Sequence, residues 1–422
     1  MTAQEHDEFV TPRCTRCHRR GSLALVMNTG FFLLFRCTAC RCEVAQPLPV
    51  VAKKIIYLDQ MVISNIVKAK EDRWRLLHAR LVELDAMQLI VCPFSEVHLE
   101  ESMLAAEWRD RLKLLYRTIG GVAFRTPREI ETAQLLTAIR SWLGSPGPSV
   151  REAAWEESFE SDPHRWTADM NVFASFSTDE AVVTSLRESK LATKANMDTL
   201  CDHWRRNPLT FEQDCVAEIE GYARGVIEPY RLLAGGRRFD PRTPPGWHLG
   251  AVLVHRLACE VAESRPDIAD PAEIVREFFA SDACKAVPFL DISGRIWATI
   301  AQQARNPKGP RVPKPGDHYD VQVLSRHAPY CDAMIVDKEF RAVASSGNVD
   351  LPGRYGVRLF SPSVLDEFSD YLRDIEARMT PEHRGALIAV HSVTRPGPAP
   401  IAPAPAICGV IPTDDEQPRL GQ

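Results

Sequence analysis

Short apolar runs that end near an acid punctuate this chain. Ile55-Ile56-Tyr57-Leu58 stops at Asp59. Leu89-Ile90-Val91-Cys92 leads into Pro93-Phe94-Ser95-Glu96, and Met334-Ile335-Val336 stops at Asp337. A short apolar run bounded by turn residues predicts a strand buried on both faces, as in a parallel sheet. Strands are therefore expected at 55–58, 89–92, 334–336 and 357–360. Between them the period lengthens to that of a helix. Trp74, Leu77, Leu81 and Leu84 predict an amphipathic helix over about 72–86. Others are expected at 60–70, 318–327 and 363–378. Ser95 is a good N-cap for a long helix running towards Tyr116. The alternation of the two patterns is that of an α/β fold.

The pattern changes between 125 and 305. Strand signals there are few, and breakers interrupt a helical pattern at Gly144-Ser145-Pro146-Gly147-Pro148, Asn207-Pro208 and Pro244-Pro245-Gly246. A large helical insertion is thus predicted within an α/β domain whose two parts span 50–124 and 306–385. A compact cysteine-rich unit at 13–45 precedes it, joined by Gln46-Pro47-Leu48-Pro49. Residues 1–12 and the Pro-rich tail 394–422 lack the apolar content to bury a core and are expected to be disordered.

Composition narrows the function classes. The chain has 422 residues, 45% hydrophobic and 25% charged, with a net charge of −5, so no global basic field announces nucleic acid. No run is long and apolar enough to span a bilayer, and no signal-peptide pattern opens the sequence, so a soluble cytoplasmic protein is expected. The absence of a glycine-rich phosphate loop and of a nucleophile elbow disfavours an NTPase or a serine hydrolase. Trp and Tyr are too dispersed to suggest a base-stacking platform.

Five of the 12 cysteines crowd near the start. Cys14-Thr15-Arg16-Cys17 and Cys37-Thr38-Ala39-Cys40 are two C-x-x-C pairs with 19 residues between them. Two such knuckles can bring four thiolates around one tetrahedral Zn²⁺, and the intervening residues suit the hairpins of a small zinc ribbon. Cys42 is a spare thiol and His18 a weaker substitute ligand. Residues 13–41 carry six arginines (Arg13, Arg16, Arg19, Arg20, Arg36, Arg41) and no acid. Such a ribbon either grips phosphates or serves only as a structural cap on the next domain.

The acids at the strand ends suggest a second site. In open α/β sheets ligands bind beyond the carboxyl ends of the strands. Asp317 and Asp320, three apart, share a helix face. Asp332 precedes the third strand. Several carboxylates from distant parts of the chain suit Mg²⁺ or Mn²⁺, which takes oxygen ligands and keeps waters. Each acid also has a plainer role open to it. Asp59 serves as a helix cap, Glu96 as a first-turn dipole partner, and Asp317 and Asp332 as turn residues.

These residues resemble the PIN-domain nucleases. Ile56-Tyr57-Leu58-Asp59-Gln60-Met61-Val62-Ile63-Ser64 is similar to the family's opening strand and turn, Cys92-Pro93-Phe94-Ser95-Glu96-Val97 to its second motif, and Val336-Asp337-Lys338-Glu339-Phe340 to its closing motif. Asp320 matches the Asp that starts its later helix. The likeness covers about 55–120 and 316–380. It implies a three-layer α/β/α fold with a parallel sheet and a Mg²⁺ or Mn²⁺ site held by Asp59, Glu96, Asp320 and Asp337, with Asp317 and Asp332 as adjuncts. It also implies cleavage of single-stranded RNA. The family's Asn two residues after the first Asp is Met61 here.

The stretch 305–314 adds four cations and no acid just before the acidic segment, and Lys308, Arg311 and Lys314 are candidates to hold substrate phosphates. A solvated linker is the plain alternative. The expectation is a zinc ribbon on a PIN-like, metal-dependent endoribonuclease. The alternative is a non-catalytic nucleic-acid-binding or scaffold protein with a degenerate core. A phosphatase acting on small phosphoesters is a third reading. The sequence names no protein inhibitor or antitoxin partner.

Overall fold

A computed structural model describes residues 9, 12–68, 71–145, 147–167, 180–236, 247–306, 313–314 and 316–394. Residues 1–8, 10–11 and 395–422, most of the two expected disordered ends, lie outside the described set, as do Lys308 and Arg311.

The central sheet has four strands, β4 (Lys54–Leu58), β5 (Ile90–Val91), β6 (Ala333–Ile335) and β7 (Arg358–Phe360), in the order β5-β4-β6-β7. Every neighbouring pair is parallel. Successive side chains of a strand point to opposite faces, and both faces here are apolar. Ile55, Tyr57, Val91, Met334 and Leu359 enter one core, and Ile56, Leu58, Ile90, Ile335 and Phe360 enter the other. This is why the strands read as unbroken apolar runs rather than as alternation.

The second core is closed by α1 (Gln60–Lys68), α2 (Asp72–Ala86), α3 (Glu96–Leu104) and α4 (Arg109–Ile119), together with α16 (Leu365–Ala377). The expected long helix from Ser95 to Tyr116 is two helices. Ala105 leaves helical geometry (φ −104°, ψ 62°), and α4 folds back until the hydroxyls of Ser102 and Tyr116 lie 3.2 Å apart. In a straight helix their 14-residue separation spans about 21 Å. The bend lets Tyr116 pack on Phe94 and His98. No Gly or Pro marks the break in sequence.

The stretch 125–305 is mostly helical where it is described, apart from turns and the segment 159–167, whose Phe159 forms an isolated bridge with Phe124. It comprises α5 (Pro127–Trp142), α6 (Val150–Ala153), α7 (Glu180–Arg206), α8 (Phe211–Ala234), α9 (Trp247–Ser264), α10 (Pro271–Ala280), α11 (Asp282–Lys285) and α12 (Pro288–Arg305). Thr126-Pro127-Arg128-Glu129 starts α5 with a capping box in which each end bonds the other's backbone N–H. This region does not stand apart from the sheet. Ile292, Ile296 and Ile300 of α12, Ile130 of α5 and Trp204 of α7 enter the same core as Ile55 and Tyr57. They share that face with α13 (Asp317–His327), α14 (Lys338–Ala344) and α15 (Leu351–Tyr355). The architecture is a three-layer α/β/α sandwich, and the helical stretch builds much of one outer layer. A separate core joins Leu135, Ile219, Leu257 and Phe278 farther out.

At the N-terminus, β1 (Leu23–Asn28), β2 (Phe32–Cys37) and β3 (Glu43–Pro47) form an antiparallel sheet in that order. Its inner residues Leu33 and Phe35 pack with Phe9, Leu48, Trp166 and α17 (Pro381–Thr394). Trp166 fixes the junction: its indole N–H donates to the Pro49 carbonyl at 2.7 Å and its backbone N–H to the Gly30 carbonyl at 2.9 Å. Helix α17 follows the last sequence-predicted helix and packs its Ala386, Ala389 and Val390 on the ribbon and Trp166.

Candidate functional site

The strand ends place two aspartates side by side in the topology. Asp59 follows β4 and Asp337 follows β6 by two residues; these strands are neighbours, and the Asp59 N–H donates to the Ile335 carbonyl at 3.0 Å. Each also caps a helix. Asp59 Oδ1 accepts the Met61 N–H at 2.7 Å, and Asp337 Oδ1 accepts the Phe340 N–H at 2.6 Å. Burial pushes the Asp59 carboxyl up to about 6; the Met61 N–H opposes this, and the carboxylates of Asp337 and Glu101 add to it.

Glu101 is the residue that the sequence reading missed. It lies on α3 and is half-buried. Glu96, the expected acid, is exposed at the first position of that helix; partial desolvation and Glu129 raise its carboxyl. Its placement comes through His98. The His98 ring is buried, accepts the Ser95 N–H on Nδ1 at 3.1 Å and meets the Leu58 carbonyl through Nε2 at 2.8 Å. Nδ1 is thus the acceptor, so Nε2 carries the proton and donates to Leu58. Burial pushes this imidazole down to about 4, which keeps it neutral. His98 pins α3 against the residue before Asp59, and Glu101, three positions on, shares its face.

Asp317 and Asp320 occupy the first turn of α13. That helix runs into β6, so it is antiparallel to the strands and its first turn lies at their carboxyl edge. Lys314 supports this placement, for its ammonium bridges Glu339 in the first turn of α14 at 2.8 Å, beside Asp337. Asp317 is 1% exposed and accepts the Lys314 N–H at 2.9 Å. Asp332 stands elsewhere. It precedes β6, so it sits at the amino edge, where it holds the Ile55 N–H at 2.9 Å and the Lys54 ammonium at 2.6 Å. It is thus not an adjunct of the Asp59 group, because the two ends of a strand face opposite edges.

Of the four cations in 305–314, two have roles in the described structure. Lys314 is paired with Glu339, as above. Arg305 is anchored: it grips both carboxylate oxygens of Asp214 at 2.5 and 2.7 Å and bonds the carbonyls of Trp204 and Leu209.

The knuckles converge as their spacing predicts. Cys14, Cys17, Cys37 and Cys40 have their sulfurs within 4.8 Å of one another and could hold a metal such as zinc. The Sγ–Sγ separations of 3.5 Å (Cys14–Cys40) and 3.7 Å (Cys17–Cys37) approach the edge of about 3.8 Å expected of a tetrahedral Zn–S₄ centre. The residues after each pair, His18 and Arg41, have positive φ (58° and 59°). Their N–H groups return to the carbonyls of Cys14 and Cys37, both at 2.9 Å. Bonds from the Cys17 N–H, then from Cys42, push the Cys14 thiol down to about 5. The Ser22 hydroxyl and the Cys40 N–H push Cys37 down to about 7. Their neighbours go the other way: against a bond from the Arg19 N–H, burial and the thiols beside it push Cys17 up to about 11, and against the Cys42 N–H the same causes raise Cys40. The close group thus favours two thiolates and two thiols until a cation replaces the protons. Cys42 lies 3.1 Å from Cys14 as a fifth thiol.

Among the described residues this is the sole group of three or more His, Cys, Asp or Glu drawn so close. The acids at the carboxyl edge are spaced more widely. A cavity of about 540 Å³ opens at the opposite, amino edge, lined by Lys54, Leu89, Arg358, Tyr371, His383 and Ala386, and is remote from Asp59. Among the described residues no helix is long and apolar enough to cross a membrane. In comparisons with known proteins, the chain matches no family model, no curated protein and no solved structure.

Proposed function

We propose that the chain is a metal-dependent endoribonuclease of PIN-like type, with a zinc ribbon. The observation that carries this reading is the pairing of Asp59 and Asp337 beyond neighbouring parallel strands, with the Asp59 carboxyl raised by burial and further by Asp337 and Glu101. Structural caps have no need to gather like charge at one sheet edge. A divalent cation offsets such charge. Mg²⁺ and Mn²⁺ keep several waters and need only one or two direct carboxylates, so widely spaced acids fit them. Asp59, Asp337 and Glu101 would hold the ion, with Asp320 at the mouth of the same edge; Glu96 is the outer alternative to Glu101. The ion would supply Lewis acidity and a lowered pKa for bound water. The chain's own part is to hold the acids in place through the caps at Met61 and Phe340 and through the His98 pin.

A non-catalytic reading keeps one observation in its favour: one oxygen of each aspartate is already committed to a helix cap. Labelled single-stranded RNA separates the readings. Cleavage with Mn²⁺ that EDTA stops, and that Asp59→Asn and Asp337→Asn abolish in folded protein, is expected. Equal activity in those variants would sink the assignment, and turnover of a small phosphate ester alone would point to a phosphatase.

A further inference from the structure

The ribbon sheet has two faces of different character. Leu33 and Phe35 face inward onto Trp166 and α17. Phe32, Leu34 and Arg36 alternate with them and stand on the outer face, paired with Pro47, Ala45 and Glu43. Phe31 and Phe32 are 50% and 37% exposed, and Val26 on β1 is 49% exposed. Neither phenyl ring meets another ring or a cation among the described residues.

The other end of β2, about 17 Å away at 3.4 Å per residue, carries the cysteine knuckles and their arginines. Arg13, Arg16, Arg19, Arg20 and Arg41 are all exposed. Arg36 is bound to Glu43 at 2.6 Å, whereas Arg13, Arg16, Arg19 and Arg41 have no acidic partner among the described residues. Exposed rings one strand length from unneutralised guanidiniums suit an extended ligand that presents both flat bases and phosphates. A paired duplex hides its base faces, and an apolar protein partner has no use for four bare cations.

We propose that the outer face of the ribbon binds single-stranded nucleic acid. Bases stack on Phe31 and Phe32, and the backbone runs towards Arg16, Arg19 and Arg41, which take its phosphates. This surface is attached at the amino edge of the large sheet, through Trp166 and α17, and does not depend on cleavage at the carboxyl edge.

The test uses the zinc-loaded full chain carrying Asp59→Asn, so that RNA persists, with fluorescent oligouridine read by anisotropy. Phe31→Ala/Phe32→Ala should weaken binding at least about tenfold, since each base stacked on an aromatic ring contributes about 5- to 150-fold in affinity. Arg16→Ala/Arg19→Ala/Arg41→Ala should flatten the log–log salt slope by about 2, at about 0.7 per phosphate. Zinc content, measured in each variant, reports whether the ribbon has stayed folded. Unchanged affinity and slope in zinc-loaded variants, or no binding by the parent, overturns the proposal. So does loss of self-association, without RNA binding, in the phenylalanine variant, which would give this face to a protein. Binding of this kind in a chain that never cleaves RNA leaves the proposal standing and removes the nuclease reading.

Discussion

Asp59→Asn is expected to stabilise the fold at neutral pH. The Asp59 carboxyl has its pKa raised from an ordinary 3.8 to about 6. An acid with a raised folded pKa holds its proton longer in the native state than in the unfolded chain. Between pH 4 and 6 the native state therefore binds more protons, and stability falls as pH rises through that window. Above it the loss is complete. At 1.36 kcal/mol per tenfold change, it amounts to about 3 kcal/mol. Asparagine keeps the oxygen that accepts the Met61 N–H and carries no charge to desolvate.

Urea unfolding in a divalent-free buffer measures this directly. The variant should exceed the parent by about 3 kcal/mol at pH 8, and the two should converge near pH 4. Asp85 and Glu218, also raised by burial to about 7, are common to both proteins and cancel in the difference. Millimolar Mn²⁺ should stabilise the parent more than the variant, because the ion replaces the missing proton. A variant less stable than the parent at pH 8, or a gap equal at pH 4 and pH 8, would refute the reasoning.

Four further outcomes are expected. Glu101→Gln removes one of the charges that raise Asp59, so the fall in stability with rising pH should end at a lower pH and be smaller, and RNA cleavage should drop. Asp332→Asn keeps the acceptor for Ile55 and loses only an exposed pair with Lys54, so cleavage should be unchanged and stability should fall by less than about 1 kcal/mol. Arg305→Met leaves Asp214 buried without its cation and should cost about 3–5 kcal/mol in urea unfolding, with a smaller loss when Asp214→Asn is added. Cys14→Ser/Cys37→Ser should lose the single zinc expected per chain by elemental analysis, and unchanged metal content would remove that site.

The sheet was legible because a strand buried on both faces must be apolar throughout, and its last polar neighbour must stand at an edge. That fixed Asp59 and Asp337. The same logic, applied to direction, already separates Asp332, which comes before its strand rather than after it. Glu101 was harder, because its orientation depends on His98 finding the Leu58 carbonyl, a contact 40 residues away in sequence. The kink at Ala105 and the docking of α12 on the sheet are likewise products of packing between distant segments; a helical pattern alone gives length and apolar face but not the surface met. The knuckles were legible because C-x-x-C fixes local geometry, whereas the exposure of Phe31 and Phe32 depends on which face of the ribbon α17 covers.

The two ends of the sheet therefore carry different chemistry. Thiolates and exposed arginines gather at the far end of a ribbon that joins the amino edge through Trp166, and carboxylates gather at the carboxyl edge. A negatively charged ligand is attracted to the first end. It is repelled at the second unless a cation is present, because Asp337 and Glu101 add to the burial that already disfavours charge on Asp59. The proposed capture and the proposed cutting should thus be separable by salt and by metal. Raising ionic strength should weaken RNA capture by the arginines without altering the Asp59 stability gap by a comparable factor, since buried charges are screened far less than exposed ones. If salt diminished both in parallel, the carboxylates would have to be solvent-screened, and the raised Asp59 pKa that supports a cation site would lose its cause.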